Sequence, residues 1–255
     1  ELVNIPMKIS DLLGIFGYLG LTSAFIICVA IILISLIAQL FSNPSLEKFA
    51  AWLTHAQTIL LAIACISLGI LLQIGAYEYE LILNAVENTM SAFERIGGLW
   101  SSQAASLLFW SLIMSSAASL SLLIAKRIPS TKHAMTVLFF LELTLIFFIL
   151  PDVFFSNPFL KTWILKSGNI STAVFPPQGS SLLVPLDGQG MNPSLRHIAM
   201  FFHPPTLYFG LIGFFVPYAF ALSSLIHKDQ DKTWMRLVFP VTLFAWVFLT
   251  IGMLL

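Results

Sequence analysis

The chain has 255 residues, of which 58% are hydrophobic and only 9% are charged. Soluble domains carry about 25% charged residues, so this composition excludes an ordinary soluble domain and indicates several membrane-spanning helices. The formal net charge is zero, which gives no support for nucleic-acid binding. We therefore predict an all-α fold, a polytopic transmembrane bundle of about six spanning helices that forms one domain over residues 1–255.

Six apolar stretches have or approach the ~20 residues that cross a bilayer as a helix. In chain order they are Leu12–Leu40, Phe49–Ala76, Gly98–Ala125, Ala134–Leu150, Pro205–Ile226 and Leu237–Leu255. Between them, the acidic segment Tyr77–Arg95 predicts an aqueous loop with room for a short helix. The segment Pro151–Arg196 is rich in Gly, Pro and Ser, which predicts a long loop over residues 151–196.

Basic residues divide unequally between the two sides of the predicted bundle. The short loops Ser42–Lys48, Lys126–His133 and His227–Arg236 alternate onto one side, and they hold seven of the twelve basic residues. These seven are Lys48, Lys126, Arg127, Lys132, Lys228, Lys232 and Arg236. Because short basic loops stay in the cytoplasm or matrix, we predict that these three face inward. The acidic loop, the extracytoplasmic loop 151–196 and His203 then face outward.

His203 stands directly before two prolines, at the start of the fifth apolar stretch. Proline lacks a backbone N–H and fixes φ, so Pro204 and Pro205 suit the first turn of a helix. The residue before a proline is driven from the α region, which predicts His203 at the mouth of the fifth helix, at the membrane–water boundary. Upstream, Asn192–Phe202 has apolar residues at helical spacing and predicts a short interfacial helix. From residue types alone, a histidine that only caps or anchors stays an open alternative.

Other polar residues in the apolar stretches have structural interpretations. Glu142 lies mid-span, where a charged carboxylate is costly, so we expect it to face other helices, to be neutral or to have a partner. A structural hydrogen bond and a proton-handling role both stay open for it. His55 and Gln57 predict a polar contact between helices. Cys28 and Cys65 do not form C-x-x-C and predict small buried packing residues.

Three further histidines lie near the ends of predicted helices. His197 precedes His203 by six residues, which is about 240° around a helix, so the two are not predicted to ligate one metal ion together. Contact with solvent or a lipid headgroup is the expected role of His197. His133 and His227 lie in the inward loops and are predicted to be solvated.

Several short motifs keep their order and rough spacing between Arg95 and Leu255. They are S-N-P-F at Ser156–Phe159, D-G-Q-G at Asp187–Gly190, N-P-S-L at Asn192–Leu195, H-P-P-T-L-Y-F-G at His203–Gly210 and A-W-V-F-L-T-I-G at Ala245–Gly252. Together they resemble the CcmF-type cytochrome c haem lyases. The N-terminal part of the chain is similar to that family mainly in hydropathy.

The resemblance implies a role for His203, because the histidine of H-P-P in that family is an axial ligand of haem iron at the outer face. It implies haem b as the substrate and cofactor, and it makes Pro204, Pro205, Tyr208 and Trp100 candidates for the haem cavity. For Trp100, anchoring at the membrane surface stays the alternative. An apolar shelf that suits a flat macrocycle or lipid is expected from Phe201, Phe202, Leu207, Tyr208 and Phe209.

Two departures from the family pattern limit what the resemblance implies. The family motif W-G-G-x-E-G-S-L-L-L-W stands here as W-S-S-Q-A-A-S-L-L-F-W over Trp100–Trp110, without its glycines and glutamate. The matched residues also lack the tryptophan-rich W-G-x-x-W-x-W-D segment, a second outward histidine and two membrane histidines of the relatives. The chain is therefore expected to be a fragment or N-terminal part of a larger haem lyase, or one product of a split gene. It would share its haem with a C-terminal portion or a second chain.

Three functional hypotheses result. The first is a component of a cytochrome c haem lyase, inactive by itself, which joins haem to the C-x-x-C-H thiols of apocytochrome c. The resemblance implies as partners the rest of the lyase, a CcmE-like haem chaperone, apocytochrome c, thiol-reductant proteins and lipid of the bacterial or, alternatively, mitochondrial inner membrane. The second hypothesis is a scaffolding membrane subunit without haem chemistry. The third, a small-molecule transporter, has only Glu142 in its favour and no internal repeat.

Overall fold

The structure, a computed structural model, describes residues 8–41, 43–127, 131–228 and 233–255. Its helices are α1 (Ile9–Phe41), α2 (Pro44–Ile74), the short α3 (Glu80–Ala85) and α4 (Ala92–Ile96), α5 (Gln103–Ala125), α6 (Thr131–Phe154), α7 (Ile198–Gly213), α8 (Phe215–Ile226) and α9 (Thr233–Leu254). Within the described ranges, six helical segments are long and apolar enough to cross a membrane, with α7 and α8 together forming one of them. The predicted all-α polytopic bundle is confirmed.

The bundle is built around α1, which packs against α2 and α6, while α5 lies against α2 and α6 on the other side. Small and apolar side chains recur along the buried face of α1 at intervals of three or four residues, as a helix buried on one stripe requires. The opposite face of α1 carries exposed apolar residues such as Phe16, Ile26 and Leu33, which suits contact with lipid. Cys28 and Cys65 are buried and unpaired, as predicted.

The fourth span is longer than predicted. We expected it to end at Leu150, before Pro151, but α6 continues through Pro151 to Phe154. A proline removes one helical hydrogen bond, and here the buried side chains of Phe148 and Ile149 hold the turn against its neighbours despite that loss. The helix then closes on the Pro151 carbonyl oxygen, which accepts from Phe155 N at 2.8 Å and Ser156 N at 2.9 Å.

The fifth span also differs from its prediction, at both its start and its middle. It begins at Ile198 rather than Pro205, and it is interrupted at Phe214 between α7 and α8. The interruption has a local cause, because Pro217 cannot donate to the carbonyl of Gly213. The chain restarts as a new helix in which Pro217 occupies the first turn, where a missing N–H costs nothing.

The prediction that His133 and His227 are solvated was wrong for His133, which is buried, whereas His227 is half-buried. His133 is buried inside α6, where its Nδ1 lies 3.2 Å from Ser223 Oγ. His227 follows α8, and its Nε2 lies 2.8 Å from Thr136 Oγ1. The centroids of the two rings are 4.7 Å apart. The histidines therefore form part of the contact between α6 and the end of α8.

At the opposite end of the bundle, which the charge distribution predicts to face outward and which we call the outer end, the chain forms a small cap. Its sheet consists of β1 (Lys161–Ile164), β2 (Ile170–Ala173) and β3 (Ser181–Leu182), with β1 in the centre and both pairings antiparallel. The predicted loop 151–196 is therefore partly ordered as a sheet. Thr162 N donates to Glu78 O and Glu80 N donates to Leu160 O, which ties this sheet to α3.

Helix α9 rests mainly on α7, and the two backbones come very close. A Cβ atom added to Gly210 would lie 2.5 Å from Leu249 N, and one added to Gly252 would lie 2.7 Å from a methyl of Leu207. Small residues at such crossings let two helices in a membrane approach closely enough for dispersion contacts between backbones. Two of the motif glycines in the sequence thus set the distance between α7 and α9.

Replacement of Gly210 by alanine should destabilise the bundle, because the added methyl meets the backbone of α9 and cannot be relieved by a side-chain rotation. We expect a loss of about 1–3 kcal/mol, measured as the thermal unfolding midpoint in detergent. Gly69→Ala is the matched control, because a Cβ on this helical glycine meets only Leu99 Cδ1 at an ordinary 3.9 Å. If the two variants unfold together, the close crossing of α7 and α9 is not a source of stability.

Candidate functional site around His203

The segment before α7 is held by the acidic loop that follows α3. Asp187 Oδ1 accepts from Asn88 N at 2.7 Å, and Gln189 N donates to Leu83 O at 2.7 Å. Gly188 allows this approach, since a Cβ at that position would lie 1.8 Å from Val86 O. The D-G-Q-G motif is therefore a docking segment, which fastens residues 187–190 against residues 83–88.

An ion pair continues this attachment to the start of α7. Arg196 Nη1 lies 2.9 Å from Glu87 Oε1, and Arg196 also donates to Met191 O. Hydrogen bonds from Arg196 and Thr89 hold the pKa of Glu87 below its usual value. Because the pKa of Glu87 is lowered in the folded protein, the pair contributes its full stability at pH values above the ordinary pKa of a glutamate. That stability is lost as the pH falls through the lowered pKa.

His197, rather than His203, stands at the mouth of the helix. Its Nδ1 accepts from Ala199 N at 3.2 Å and caps α7, and the preceding turn Pro193–Arg196 is a 3₁₀ helix. The predicted interfacial helix Asn192–Phe202 is thus wrong in its bounds, since the chain breaks at His197 and α7 begins at Ile198. His203 follows in the second turn of α7. His197 has the extended backbone of an N-cap (φ −67°, ψ 141°), and its bond from Ala199 N starts the helix six residues before His203.

Pro204 and Pro205 lie inside α7, so the carbonyl oxygens four residues earlier lose their helical donors. Trp100 compensates for one of these losses, because its Nε1 donates to Met200 O at 3.3 Å. The Trp100 ring also packs edge-on against Phe201, with centroids 5.1 Å apart. Trp100 therefore fastens the proline-containing turn of α7.

The His203 imidazole is not engaged by the described part of the chain. The side chain is half-buried, and its Nδ1 is buried without a hydrogen-bond partner among the described residues. Nε2 has no such partner either, and it is not among the enclosed atoms. An imidazole with an uncommitted nitrogen and a position held by packing has the chemistry of a metal or haem ligand. No cluster of three or more metal-ligating side chains occurs within the described ranges.

The apolar shelf expected beside His203 does not form one surface. Tyr208 faces α5, with its hydroxyl 3.4 Å from Ser106 Oγ and its ring 4.7 Å from that of Trp110. Phe209 faces α9, with its ring 5.8 Å from that of Phe248. Phe201 stacks on Phe93 at 3.8 Å between centroids. Helical geometry sends these neighbours in different directions, so they brace α7 rather than line a common wall.

Glu142 lies away from this site, and the structure supplies the partner that the sequence could not name. Gln57 Nε2 donates to Glu142 Oε2 at 3.2 Å, and both residues are fully buried. His55 Nδ1 lies 3.2 Å from Ser119 Oγ. The predicted polar contacts between helices are therefore confirmed for His55 and Gln57. Of the two roles left open for Glu142, the hydrogen bond from Gln57 supports the structural one.

Two polar residues near the outer end were missed by the sequence interpretation. Asp152 is fully buried in α6, and neither carboxylate oxygen has a partner among the described residues. Asn157 is 8% exposed, and its Nδ2 likewise has no partner in the described part of the chain. The sequence signal for Asp152 was its position beside the apolar run that ends at Leu150, but Pro151 suggested a loop instead of a buried helical turn.

Replacement of Asp152 by asparagine should stabilise the protein, because it removes an ionisable group whose burial is unfavourable while keeping nearly the same shape. We expect the unfolding midpoint in detergent at neutral pH to rise, corresponding to about 1 kcal/mol or more. Asp187→Asn is the control, since its carboxylate is exposed and asparagine keeps the acceptor oxygen used by Asn88 N. A lower midpoint for Asp152→Asn would show that the carboxylate is paired in the folded protein with water or a cation.

The arrangement defines a class of protein, a polytopic helical membrane protein that presents one uncommitted imidazole on a proline-containing helix near its outer end.

Residues 100–255 match the family model described as cytochrome C assembly protein. The cytochrome c-type biogenesis protein CcmF of Haemophilus influenzae is 33% identical over 213 residues, which is 84% of this chain and 30% of that relative. CcmF of Escherichia coli is 35% identical over 161 residues, or 63% of this chain and 22% of the relative.

The chain therefore belongs to the cytochrome c assembly protein family and to its CcmF type. It spans 30% and 22% of the lengths of these two relatives. A solved structure named Cytochrome c Heme Lyase CcmF superposes with a TM-score of 0.73 at 21% identity, over 99% of this chain and 36% of that one. At this identity the superposition supports the fold, in agreement with the bundle described above.

Proposed function

We propose that this chain takes part in cytochrome c maturation as a component of a membrane haem lyase, with His203 as one axial ligand of the haem. The observation that carries the proposal is the His203 imidazole, which lies in the family's H-P-P motif and has no hydrogen-bond partner among the described residues. Family membership supports the process, and the uncommitted nitrogen supports the role of this residue.

The His203 imidazole, which has no partner among the described residues, suits the role of one iron ligand of a haem. Neutral imidazole donates a lone pair to iron, and axial ligands tune the iron potential. His197 does not supply the second ligand, because its Nδ1 caps α7 and it lies on a different face of the chain from His203. In the proposed lyase the second axial ligand comes from another polypeptide segment, which shares the haem with this chain.

The chain's own contribution is to fix where the imidazole stands. Trp100 holds the carbonyl of Met200, Arg196 holds the start of α7 to Glu87, and α9 packs against the turn after His203. When bound, haem b supplies two vinyl groups to which the thiols of an apocytochrome C-x-x-C-H segment add, and the protein supplies binding and orientation for that step. A rigid turn keeps the haem in one place while the polypeptide approaches.

We place the chain in the bacterial inner membrane, with His203 on the periplasmic side. Basic residues concentrate in the loops at the end of the bundle opposite His203, and the similar proteins cited above are bacterial. The partners that this function requires are the rest of the lyase, a haem chaperone of the CcmE type, the apocytochrome c and proteins that keep its thiols reduced.

Replacement of His203 by glycine tests the proposal. In the protein isolated from its own membrane with its associated subunits, we expect the haem absorption band to shift or disappear and cytochrome c maturation to fall at least tenfold. Added imidazole should restore the spectrum, because it can occupy the space of the missing ring and bind iron. His197→Gly, which removes a histidine six residues away, should leave the spectrum unchanged.

A scaffolding subunit without haem chemistry is the second candidate function. It is favoured by the sequence Ser101–Ala105, which lacks the glycines and the glutamate of the corresponding family motif. The same experiment separates the two functions. A scaffold would show an unchanged spectrum and normal maturation in His203→Gly, and that result would exclude the role proposed for this imidazole.

A further inference from the structure

A cavity of about 680 Å³ opens at the outer end of the bundle, between the start of α1 and the sheet of the cap. This volume falls within the ~300–1,000 Å³ range of small-molecule sites. Ile15 lines the cavity from α1, Tyr79 lines it from the segment after α2, and Trp163 lines it from the sheet. Its charged lining residues are Lys8, Asp11, Glu78 and Lys161. None of the candidate haem residues lines this cavity, so it is distinct from the site of the imidazole.

The carboxylate of Glu78 is the group in this cavity that most needs a ligand. Glu78 is only 7% exposed, and its carboxylate makes no hydrogen bond or ion pair with any residue that the structure describes. Its oxygens are not among the fully enclosed unpartnered atoms, so they keep access to the space that the residue lines. After burial, the negative charge of Glu78 also raises the pKa of Tyr79, which lines the same cavity. A carboxylate held in such surroundings without a donor is unfavourable, and a cationic donor brought by a ligand would offset that cost.

The other charges of the lining indicate which kind of ligand completes the cavity. Lys161 is already paired with Asp11, and its Nζ lies 5.1 Å from the centroid of the Tyr79 ring. The side chain of Lys8, by contrast, is exposed and has no partner in the described part of the chain. One unpaired carboxylate and one unpaired ammonium group therefore remain. Together they complement a zwitterion that carries its own ammonium group and a phosphate.

An apolar stripe leads away from the cavity along the outside of α1. Ile15 lines the cavity and is exposed, and Leu19 and Ile26 continue the exposed surface. Intervals of four and seven residues keep these side chains on one face of the helix, opposite the face that is buried in the bundle. From Ile15 to Ile26 the helix rises about 17 Å, close to half of the ~30 Å hydrocarbon core of a bilayer. The stripe therefore has the length that lipid chains cover in one leaflet.

We propose that the cavity binds the headgroup of a phospholipid with a primary ammonium group, as in phosphatidylethanolamine. The ammonium group lies on Glu78, the phosphate lies on Lys8, and the acyl chains follow the stripe of α1. An ammonium group has three N–H donors, which suits a carboxylate that lacks hydrogen bonds. Phosphatidylglycerol has the same phosphate but no ammonium group, so it would bring a net negative charge beside Glu78. A soluble headgroup without chains would match both charges but would leave the stripe uncovered.

Native mass spectrometry of the full chain with its associated subunits tests this inference. The complex is freed of lipid in detergent and titrated separately with dioleoyl phosphatidylethanolamine, with dioleoyl phosphatidylglycerol and with glycerophosphoethanolamine, which is the headgroup without chains. We expect one phosphatidylethanolamine to bind about tenfold more tightly than phosphatidylglycerol, because only the former supplies a cationic donor. The soluble headgroup should bind more weakly than the lipid by about a hundredfold, because it buries no apolar surface on α1.

Glu78→Gln is the decisive variant, because it keeps the size of the side chain and removes its charge. It should weaken the binding of phosphatidylethanolamine about tenfold. Glu80→Gln makes the same chemical change two residues away, outside the cavity, and should leave the affinity unchanged. Lys8→Gln, at an exposed position, should weaken the binding of both phospholipids and keeps the test decisive if Glu78→Gln folds poorly. Circular dichroism and size-exclusion profiles check the fold of each variant.

Equal affinity for the two phospholipids, or an unchanged phosphatidylethanolamine affinity in a folded Glu78→Gln protein, would overturn the inference. Equal affinity for the lipid and its soluble headgroup would also overturn it, because the occupant would then be a free amine compound instead of a membrane lipid. His203→Gly should leave the lipid affinity unchanged, since the imidazole is not among the lining residues.

Discussion

Two adjacent prolines in the second turn of α7 impose the constraint on which the outer end depends. They remove the helical donors for the carbonyl oxygens of Met200 and Phe201. The indole of Trp100 supplies one substitute donor. Trp100 follows a 3₁₀ turn after α4, and Arg95 at the end of α4 donates to Gln73 O at 2.9 Å. The proline-containing turn is thereby linked through Trp100 to α2, and the position of His203 depends on the whole cap.

Most of the motif residues that point to the family have one of two structural roles, close helix packing or loop docking. Gly210 and Gly252 matter because a side chain at either place would collide with the neighbouring helix. Asp187 and Gly188 matter because they dock a loop against its partner. His203 and Asn157 keep side-chain nitrogens without a partner among the described residues, and of the two only an imidazole is a common ligand of iron. Much of the resemblance therefore reports a shared way of building α7 and α9, and one imidazole within it carries the functional hypothesis.

The number and order of the spanning helices could be predicted from the sequence because hydrophobic length responds directly to bilayer thickness. The start of α7 could not be predicted in the same way. It depends on the hydrogen bond that His197 accepts from Ala199 N, and hydropathy carries no signal for such a local bond. Glu142 could be predicted to need a partner, but Gln57 is distant in sequence and only the packing of α2 on α6 brings it near.

The close crossing of α7 and α9 has a mechanical consequence. At Gly210 the nearest atoms of α9 are the backbone N and Cα of Leu249, so no flexible side chain separates the two helices at that contact. Leu207, which meets Gly252, is one helical turn beyond His203. A displacement of α9 would therefore reach α7 at Leu207 and Gly210, within two helical turns of His203.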